Sequence, residues 1–155
     1  MDKDSDMPTL VVGVDGSPSS AGALEWAARE AQLRGAKLHV VQVWEVPGAA
    51  WATPVGVVPY TVATDENVRT QTREDLAGMT REVLGPDPKI KIRITVAEGN
   101  PAKVLIDIAK RDDAELLVVG SRGRGGFKTL LLGSVSEQCV THARCPVIVI
   151  RPQGK

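Results

Sequence analysis

Short apolar segments alternate with segments of helical periodicity along the chain, and this alternation constrains the fold more than any other feature of the sequence. The apolar segments are continuously hydrophobic, as expected for parallel strands that are buried on both faces. Five strands are predicted, over residues 9–15, 37–44, 90–96, 116–120 and 146–150.

The segments between these strands carry hydrophobic residues at the three- and four-residue spacing of an amphipathic helix. Four helices are predicted on the following positions: Ala21, Leu24, Ala28 and Ala31; Leu76, Met79 and Val83; Val104, Leu105 and Ile108; Val135 and Cys139. Because crossovers between parallel strands are right-handed, this order predicts an α/β fold. We expect an open five-stranded parallel sheet with helices on both faces, which is a Rossmann-like arrangement.

The length of the chain, 155 residues, suits one domain. We expect a polar N-terminal tail over residues 1–8, a single domain over residues 9–151 and a C-terminal tail over residues 152–155. The segment of residues 45–64 contains three prolines, which disfavour a regular helix or a central strand. Its aromatic residues Trp51 and Tyr60 either cap a ligand, contact a partner or pack on the domain edge.

Charge and composition argue against several classes of partner. Nineteen basic and nineteen acidic residues cancel, so the chain lacks the overall positive charge that non-specific nucleic-acid binding requires. No apolar run approaches the roughly 20 residues of a membrane helix, and the first residues lack the apolar core of a leader. We therefore expect a cytoplasmic protein with no nucleic-acid or membrane partner. Cys139 and Cys145 have neither metal-site nor redox spacing, and His39 and His142 are expected to pack rather than to bind metal.

The stretch that follows the fourth predicted strand is rich in glycine. It reads GSRGRGGFKTLLLGSVSE from Gly120, which places Gly120, Gly123 and Gly133 with Ser134 in the spacing G-x2-G-x9-G-S. Ligands of open parallel sheets bind at the carboxyl ends of the strands, where this stretch begins. Gly120 would let a sugar approach the backbone, and Gly123 would allow a turn with positive φ.

The end of the same stretch predicts a phosphate site at a helix N-terminus. Residues 134–137, Ser-Val-Ser-Glu, fit a capping box, and the free amides and dipole of such a terminus favour an anion. Three cations accompany it: Arg122, Arg124 and Lys128. The alternative is a flexible connection with solvated arginines. A P-loop is excluded because Phe127 precedes Lys128, and the first turn, VGVDGSPSSAG, lacks the dinucleotide fingerprint.

Four motifs together resemble the universal stress protein family over essentially residues 9–151. They are VVGVDGS, EGNPAKVLIDIAK, the loop and helix VVGSRGRGG…LLLGSVSEQCV, and CPVIVIRP. The glycine spacing is similar to that of the family's ATP-binding branch, without a gap, whereas members that do not bind ATP lack these glycines. On this resemblance the chain is identified as a single-domain member of that branch.

The resemblance implies roles for individual residues. Asp15 would lie by the ribose or a metal ion, and Val43 by the adenine, while Val119 and Gly120 would line the nucleoside. Arg122 stands where related proteins often have histidine, which leaves its phosphate contact open. The phosphates would be held by Gly123, Gly133, Ser134, Val135 and Ser136. Asp15 also has a structural interpretation, since Asp-Gly-Ser at a strand end forms a turn and caps a helix.

The function that the resemblance implies is regulatory. The ligand would be ATP or a related adenine nucleotide such as cyclic AMP, with or without Mg²⁺, and the protein would act in stress response or signalling. A homodimer would form through the last strand, which begins at Pro146 and ends at Ile150. Two alternatives remain: a slow ATPase or autophosphorylating enzyme, and a chaperone-like partner-binding protein. We assign no catalytic residue, because a phosphoryl-transfer enzyme needs a base and a metal ligand besides phosphate donors.

Overall fold

The computed structural model describes residues 3–45, 65–122 and 132–152. Strands and helices alternate over these residues as predicted. In chain order the elements are β1 (Thr9–Val14), α1 (Pro18–Arg34), β2 (Lys37–Trp44), α2 (Asp65–Leu84), β3 (Ile92–Glu98), α3 (Pro101–Arg111), β4 (Leu116–Gly120), α4 (Ser134–His142) and β5 (Val147–Ile150). No helix within the described ranges has the length and apolarity needed to cross a bilayer.

The strands form one parallel sheet with the order β3-β2-β1-β4-β5. β2 and β3 are therefore added in turn on one side of β1, and β4 and β5 are added in turn on its other side. The topological switch point, where ligands bind in open α/β sheets, consequently lies between the carboxyl ends of β1 and β4. The predicted fold class is confirmed.

The third strand lies two residues beyond its predicted position, 90–96. The β2–β3 ladder starts at the pair Leu38 and Ile92 and extends to Glu98. Ile90 packs against the core without joining the ladder, because the segment with Pro86 and Pro88 brings the chain to the sheet edge only after Ile90. Ile90 is therefore hydrophobic because it packs against the core, although it does not belong to the strand.

Alternate residues of the central strands face two separate cores. On one face, Leu10, Val12 and Val14 of β1 pack against α1 and against Leu76 of α2. On the other face, a second set packs against α3 and α4, comprising Val11, Val41, Leu117, Val119, Leu105, Ile108 and Cys139. Burial on both faces explains why the central strands read as continuous apolar runs.

A buried polar cluster interrupts the second core. The ring of His39 is 2% exposed; its Nδ1 lies 2.5 Å from Asp112 Oδ2 and its Nε2 lies 2.7 Å from Thr95 Oγ1. Burial lowers the pKa of His39 below its usual value, although the hydrogen bond with Asp112 opposes this shift. The His39 side chain is therefore packed inside the protein.

Candidate functional site

The turn after β1 is held by its own side chains. The backbone N–H of Ser17 donates to Asp15 Oδ1 at 2.9 Å, and Gly16 adopts the left-handed conformation with φ of 81°. Ser17 Oγ then accepts from the backbone N–H of Ser20 at 3.2 Å and so caps α1. The predicted turn at Asp15 is confirmed, but the helix cap is Ser17 and not Asp15.

Gly120 is required by close packing inside the protein. A Cβ at this position would lie 2.6 Å from Ser19 Oγ and 3.1 Å from the Ser19 carbonyl carbon, in the first turn of α1. Glycine at position 120 therefore has a packing role of its own, because the first turn of α1 occupies the space that a side chain would need.

Two hydrogen bonds attach the start of α4 to the end of β4, and a third attaches the end of β4 to β5. Ser136 Oγ donates to the Gly120 carbonyl at 2.5 Å, and the N–H of Gly133 donates to the Ser121 carbonyl at 2.6 Å. The N–H of Ser121 in turn donates to the Ile150 carbonyl at 2.8 Å. The N-terminus of α4 is therefore fixed at the switch point of the sheet.

The N-cap of α4 is Gly133, and no side chain of the described residues makes a capping hydrogen bond to this helix. The predicted capping box, with Ser134 as the cap and Glu137 as its partner, was wrong by one residue. Instead the N–H of Glu137 makes an ordinary helical bond to the Gly133 carbonyl at 2.9 Å. The backbone amides of Ser134, Val135 and Ser136 precede the first such bond, so they present donors and the positive end of the helix dipole at this edge.

Strand register brings four of the predicted site residues to this edge, namely Asp15, Val43, Val119 and Gly120. Val14 pairs with Gln42, so Asp15 and Val43 lie side by side directly after this pair. Val12 pairs with Val118, so Gly120, two residues further along β4, lies level with Val14. Two of these residues also belong to the core, since Val119 is 3% exposed and Val43 is half-buried against the α3 face. Any ligand contact of Val119 must therefore come from its backbone.

The remaining predicted residues divide between the surface and the part of the chain outside the described residues. The side chains of Arg122 and Ser134 are exposed, Val135 is half-buried and Ser136 is buried. Outside the described residues lie Gly123, Arg124, Lys128, Trp51 and Tyr60.

Sequence reasoning missed two buried polar groups at this edge. Ser19 Oγ and Trp44 Nε1 are both buried and have no hydrogen-bond partner among the described residues. Ser19 belongs to the run Ser-Pro-Ser-Ser after β1, and Trp44 is the last residue of β2. The run of serines directly after a strand could have indicated a polar group at Ser19. The burial of the Trp44 indole N–H depends on tertiary packing and has no such signal in the sequence.

The described edge thus combines a turn held by a carboxylate and a helix N-terminus that no described side chain caps. It also holds two buried groups, in α1 and at the end of β2, that have no hydrogen-bond partner among the described residues. These features define a doubly wound α/β protein with its turns and the start of α4 gathered at the carboxyl edge of the sheet, the usual ligand position of this fold class. Within that class the chain belongs to the universal stress protein family, whose model matches residues 7–151. The predicted family is therefore confirmed.

Individual relatives agree with this assignment. A universal stress protein of Mycolicibacterium smegmatis is 40% identical over 150 residues, which cover 97% of this chain and 47% of the relative. The chain therefore spans about half the length of the curated relatives that it matches.

Two solved structures have the same fold. A universal stress protein from Archaeoglobus fulgidus in complex with dAMP has a TM-score of 0.60 and 26% identity, covering 93% of this chain and 97% of that one. Another universal stress protein, in complex with cAMP, has a TM-score of 0.66 and 22% identity, covering 95% and 98%.

Proposed function

We propose that this domain binds ATP or a related adenine nucleotide at the switch point between β1 and β4 and acts in stress response or signalling in the cytoplasm. The observation that carries the proposal is the N-terminus of α4, which no described side chain caps and which Ser136 and Gly133 attach to the end of β4. Phosphate groups bind at such termini because the amides and the helix dipole both favour negative charge.

The adenine class of the ligand rests on the relatives. The Archaeoglobus fulgidus protein was solved with dAMP, and a second protein of the same fold was solved with cAMP. Both ligands combine adenine, a sugar and a phosphate, so the phosphate-accepting edge of this chain suits the group that they share. Measured affinities for cyclic AMP, AMP and ATP distinguish a cyclic, a single and an extended phosphate.

The described residues fit a nucleotide in part of the site. The amides of Ser134, Val135 and Ser136 precede the first helical bond and are available for phosphate oxygens, and the exposed Arg122 follows the end of β4, to which α4 is attached. Asp15 would be a single carboxylate ligand to Mg²⁺, which usually keeps several waters and takes further oxygens from the phosphates. The nucleoside would meet the backbone of residues 119–120 and the half-buried Val43.

We propose that hydrolysis is slow or absent, so that the nucleotide is a signal more than a substrate. Helix amides hold the ground state and the transition state alike, and uniform binding does not accelerate chemistry. The candidate catalytic base at the described ends of β1 and β4 is the Asp15 carboxylate, which already accepts a hydrogen bond from the backbone N–H of Ser17. Single-turnover measurements with labelled ATP test this. A rate near 1 per second that is lost in Asp15→Asn, with binding retained, would identify an enzyme with Asp15 as its catalytic group.

We also propose that β5 pairs with a second copy of the chain. β5 is the edge of the sheet, its four side chains are half-buried, and the carbonyls of Pro146 and Ile150 accept bonds from β4. By the two-residue period of a strand, the backbone groups of Val147 and Val149 point away from β4. Val149→Pro should therefore abolish the dimer in sedimentation without breaking the ladder to β4. Val149→Ala is the control, and a dimer that persists in Val149→Pro would contradict this interface.

The nucleotide proposal is tested by mass spectrometry of small molecules released from the denatured protein, and by thermal melts with ATP, cyclic AMP, GTP and NAD. A ligand at about a hundred times its Kd should stabilise the fold by about 2.7 kcal/mol. Gly133→Val should abolish the shift, because the Gly133 backbone, with φ of −69° and ψ of 162°, accepts valine but the new side chain covers the amides. Val140→Ala, at an exposed position of the same helix, is the control. An unchanged shift in Gly133→Val would refute the site.

A further inference from the structure

A cationic cavity lies at the amino ends of β1, β2 and β3, on the opposite edge of the sheet from the candidate nucleotide site. Its volume is about 190 Å³, and its polar lining includes Lys37, His39, Lys91, Arg93 and Asp4. We propose that this amino-edge cavity is a second anion site that takes a phosphate-class oxyanion, and that the Asp4 carboxylate of the N-terminal tail occupies it as an internal competitor. The proposal is independent of the nucleotide site.

The contacts of Asp4 show how the cavity accepts an oxyanion. Lys91 Nζ donates to Asp4 Oδ1, and Lys37 Nζ donates to the Asp4 carbonyl at 3.0 Å. The hydrogen bond and the charge of Lys91, with a further contribution from Lys37, hold the pKa of the Asp4 carboxyl below its usual value. An external oxyanion at the same place would meet the same donors.

Among the described residues, the cations of this region outnumber the carboxylates that pair with them. Arg93 Nη1 lies 3.8 Å from Asp112 Oδ2, but Asp112 is already engaged by His39 at 2.5 Å and by Arg111 at 3.3 Å. Two described carboxylates, those of Asp4 and Asp112, are therefore shared by four cations in a chain whose formal net charge is zero. The four cations are Lys37, Lys91, Arg93 and Arg111. A doubly charged oxyanion would neutralise this excess more fully than the single charge of Asp4 does.

Compensation of helix dipoles does not account for these cations. The carboxyl ends of α1, α2 and α3 point toward this edge of the sheet, and negative helix ends attract basic residues. Each of these helices already has basic residues in its own last turn, namely Arg34, Arg81, and Lys110 with Arg111. Lys37, Lys91 and Arg93 lie in or directly before strands and are additional to that set.

Displacement of Asp4 by a ligand would disturb little of the fold. The side chains of Asp4 and Lys91 are 55% and 59% exposed, and exposed ion pairs contribute little to stability because solvent screens them. Asp4 belongs to the tail and to no strand or helix. The tail can therefore exchange with a dissolved anion while the sheet stays intact.

The test is an NMR titration of the full chain with inorganic phosphate at constant ionic strength, with chloride as the reference salt. We expect saturable shifts of the backbone amides of residues 37–39 and 91–93. Asp4→Asn should tighten phosphate binding by about threefold or more, because it removes one negative charge from the cavity. Asp6→Asn, in the same tail, is the matched control and should leave the affinity unchanged.

A double change of Lys91→Ala and Arg93→Ala should abolish these shifts, whereas Lys103→Ala, at an exposed lysine of α3, should not. Shifts confined to residues 134–136 would report the nucleotide site alone and would overturn the amino-edge proposal. Equal phosphate affinities of the original chain and Asp4→Asn would overturn the role of Asp4. Equal shifts with chloride at the same ionic strength would overturn the proposed site, because they would show general screening of charge and not binding of an oxyanion.

Discussion

Replacing Ser134 with aspartate separates two roles of the α4 N-terminus, that of a ligand site and that of a simple helix end. Ser134 is the first helical residue, its side chain is exposed, and within the described part of the chain no side chain caps the helix. A negative charge in the first turn interacts favourably with the helix dipole, by about 0.3–1 kcal/mol at an exposed position. Without ligand, Ser134→Asp should therefore be as stable as the original chain or slightly more stable.

Nucleotide binding should respond in the opposite direction. Two unit charges about 4 Å apart repel by about 1 kcal/mol in bulk water and by about 4 kcal/mol at an effective dielectric constant of 20. If the phosphates meet the amides of residues 134–136, Ser134→Asp should weaken ATP binding between about fivefold and several hundredfold. Adenosine, which carries no phosphate, should lose much less.

The matched control is Ser134→Asn, which has nearly the same shape and no charge. Urea denaturation would give the stability of each variant, and calorimetric titration would give its affinities for ATP and adenosine. Increased stability together with weakened ATP binding in Ser134→Asp alone is the expected result. Equal ATP affinities of the two variants would show that the phosphates do not lie at α4.

Three further predictions concern the fold. Gly120→Ala should destabilise the protein by about 1–3 kcal/mol in urea denaturation, because its Cβ would lie 2.6 Å from Ser19 Oγ and close to the α1 backbone; Gly78→Ala in α2, where the new Cβ meets nothing within 4 Å, should be neutral or stabilising. Stability should fall as the pH drops below about 6.5, because burial lowers the pKa of His39 in the folded state and the unfolded chain then binds more protons. In denaturation curves at several pH values, His39→Gln should flatten this slope, and an unaltered slope would assign it to other groups. Finally, Cys139 should resist alkylation at pH 8 by mass spectrometry until the protein unfolds, since burial raises the pKa of its thiol to about 11; rapid labelling of the native protein would contradict the buried position.

The order of strands and helices could be read from the sequence because it depends on local patterns. Central strands that are buried on both faces must be continuously apolar, and the apolar residues of a helix must recur about every 3.6 residues. Both patterns can therefore be recognised in the sequence alone. The start of β3 was missed because burial of Ile90 and entry into the ladder at Ile92 are different properties. Hydrophobicity records burial, whereas hydrogen-bond register depends on the neighbouring strand.

The site shows the same division. Glycine spacing identified the segment around Gly120 and Gly133, but the structural reason for Gly120 lies in α1, where Ser19 approaches its backbone. The cap of α4 falls on Gly133 and not on Ser134, because bonds to Ser121 and Gly120 determine where the helix begins. No local pattern contains these partners.

The sequence by itself therefore determined the fold class, the family and the segments that form the candidate site, since each is written in contiguous residues. Tertiary structure alone decided which side chains meet. Lys37, Lys91 and the tail residue Asp4 are far apart in the chain, and they share one cavity only because β1, β2 and β3 align their amino ends. The physical reason is that parallel register, a property of paired backbones, positions residues from distant segments at the same edge of the sheet.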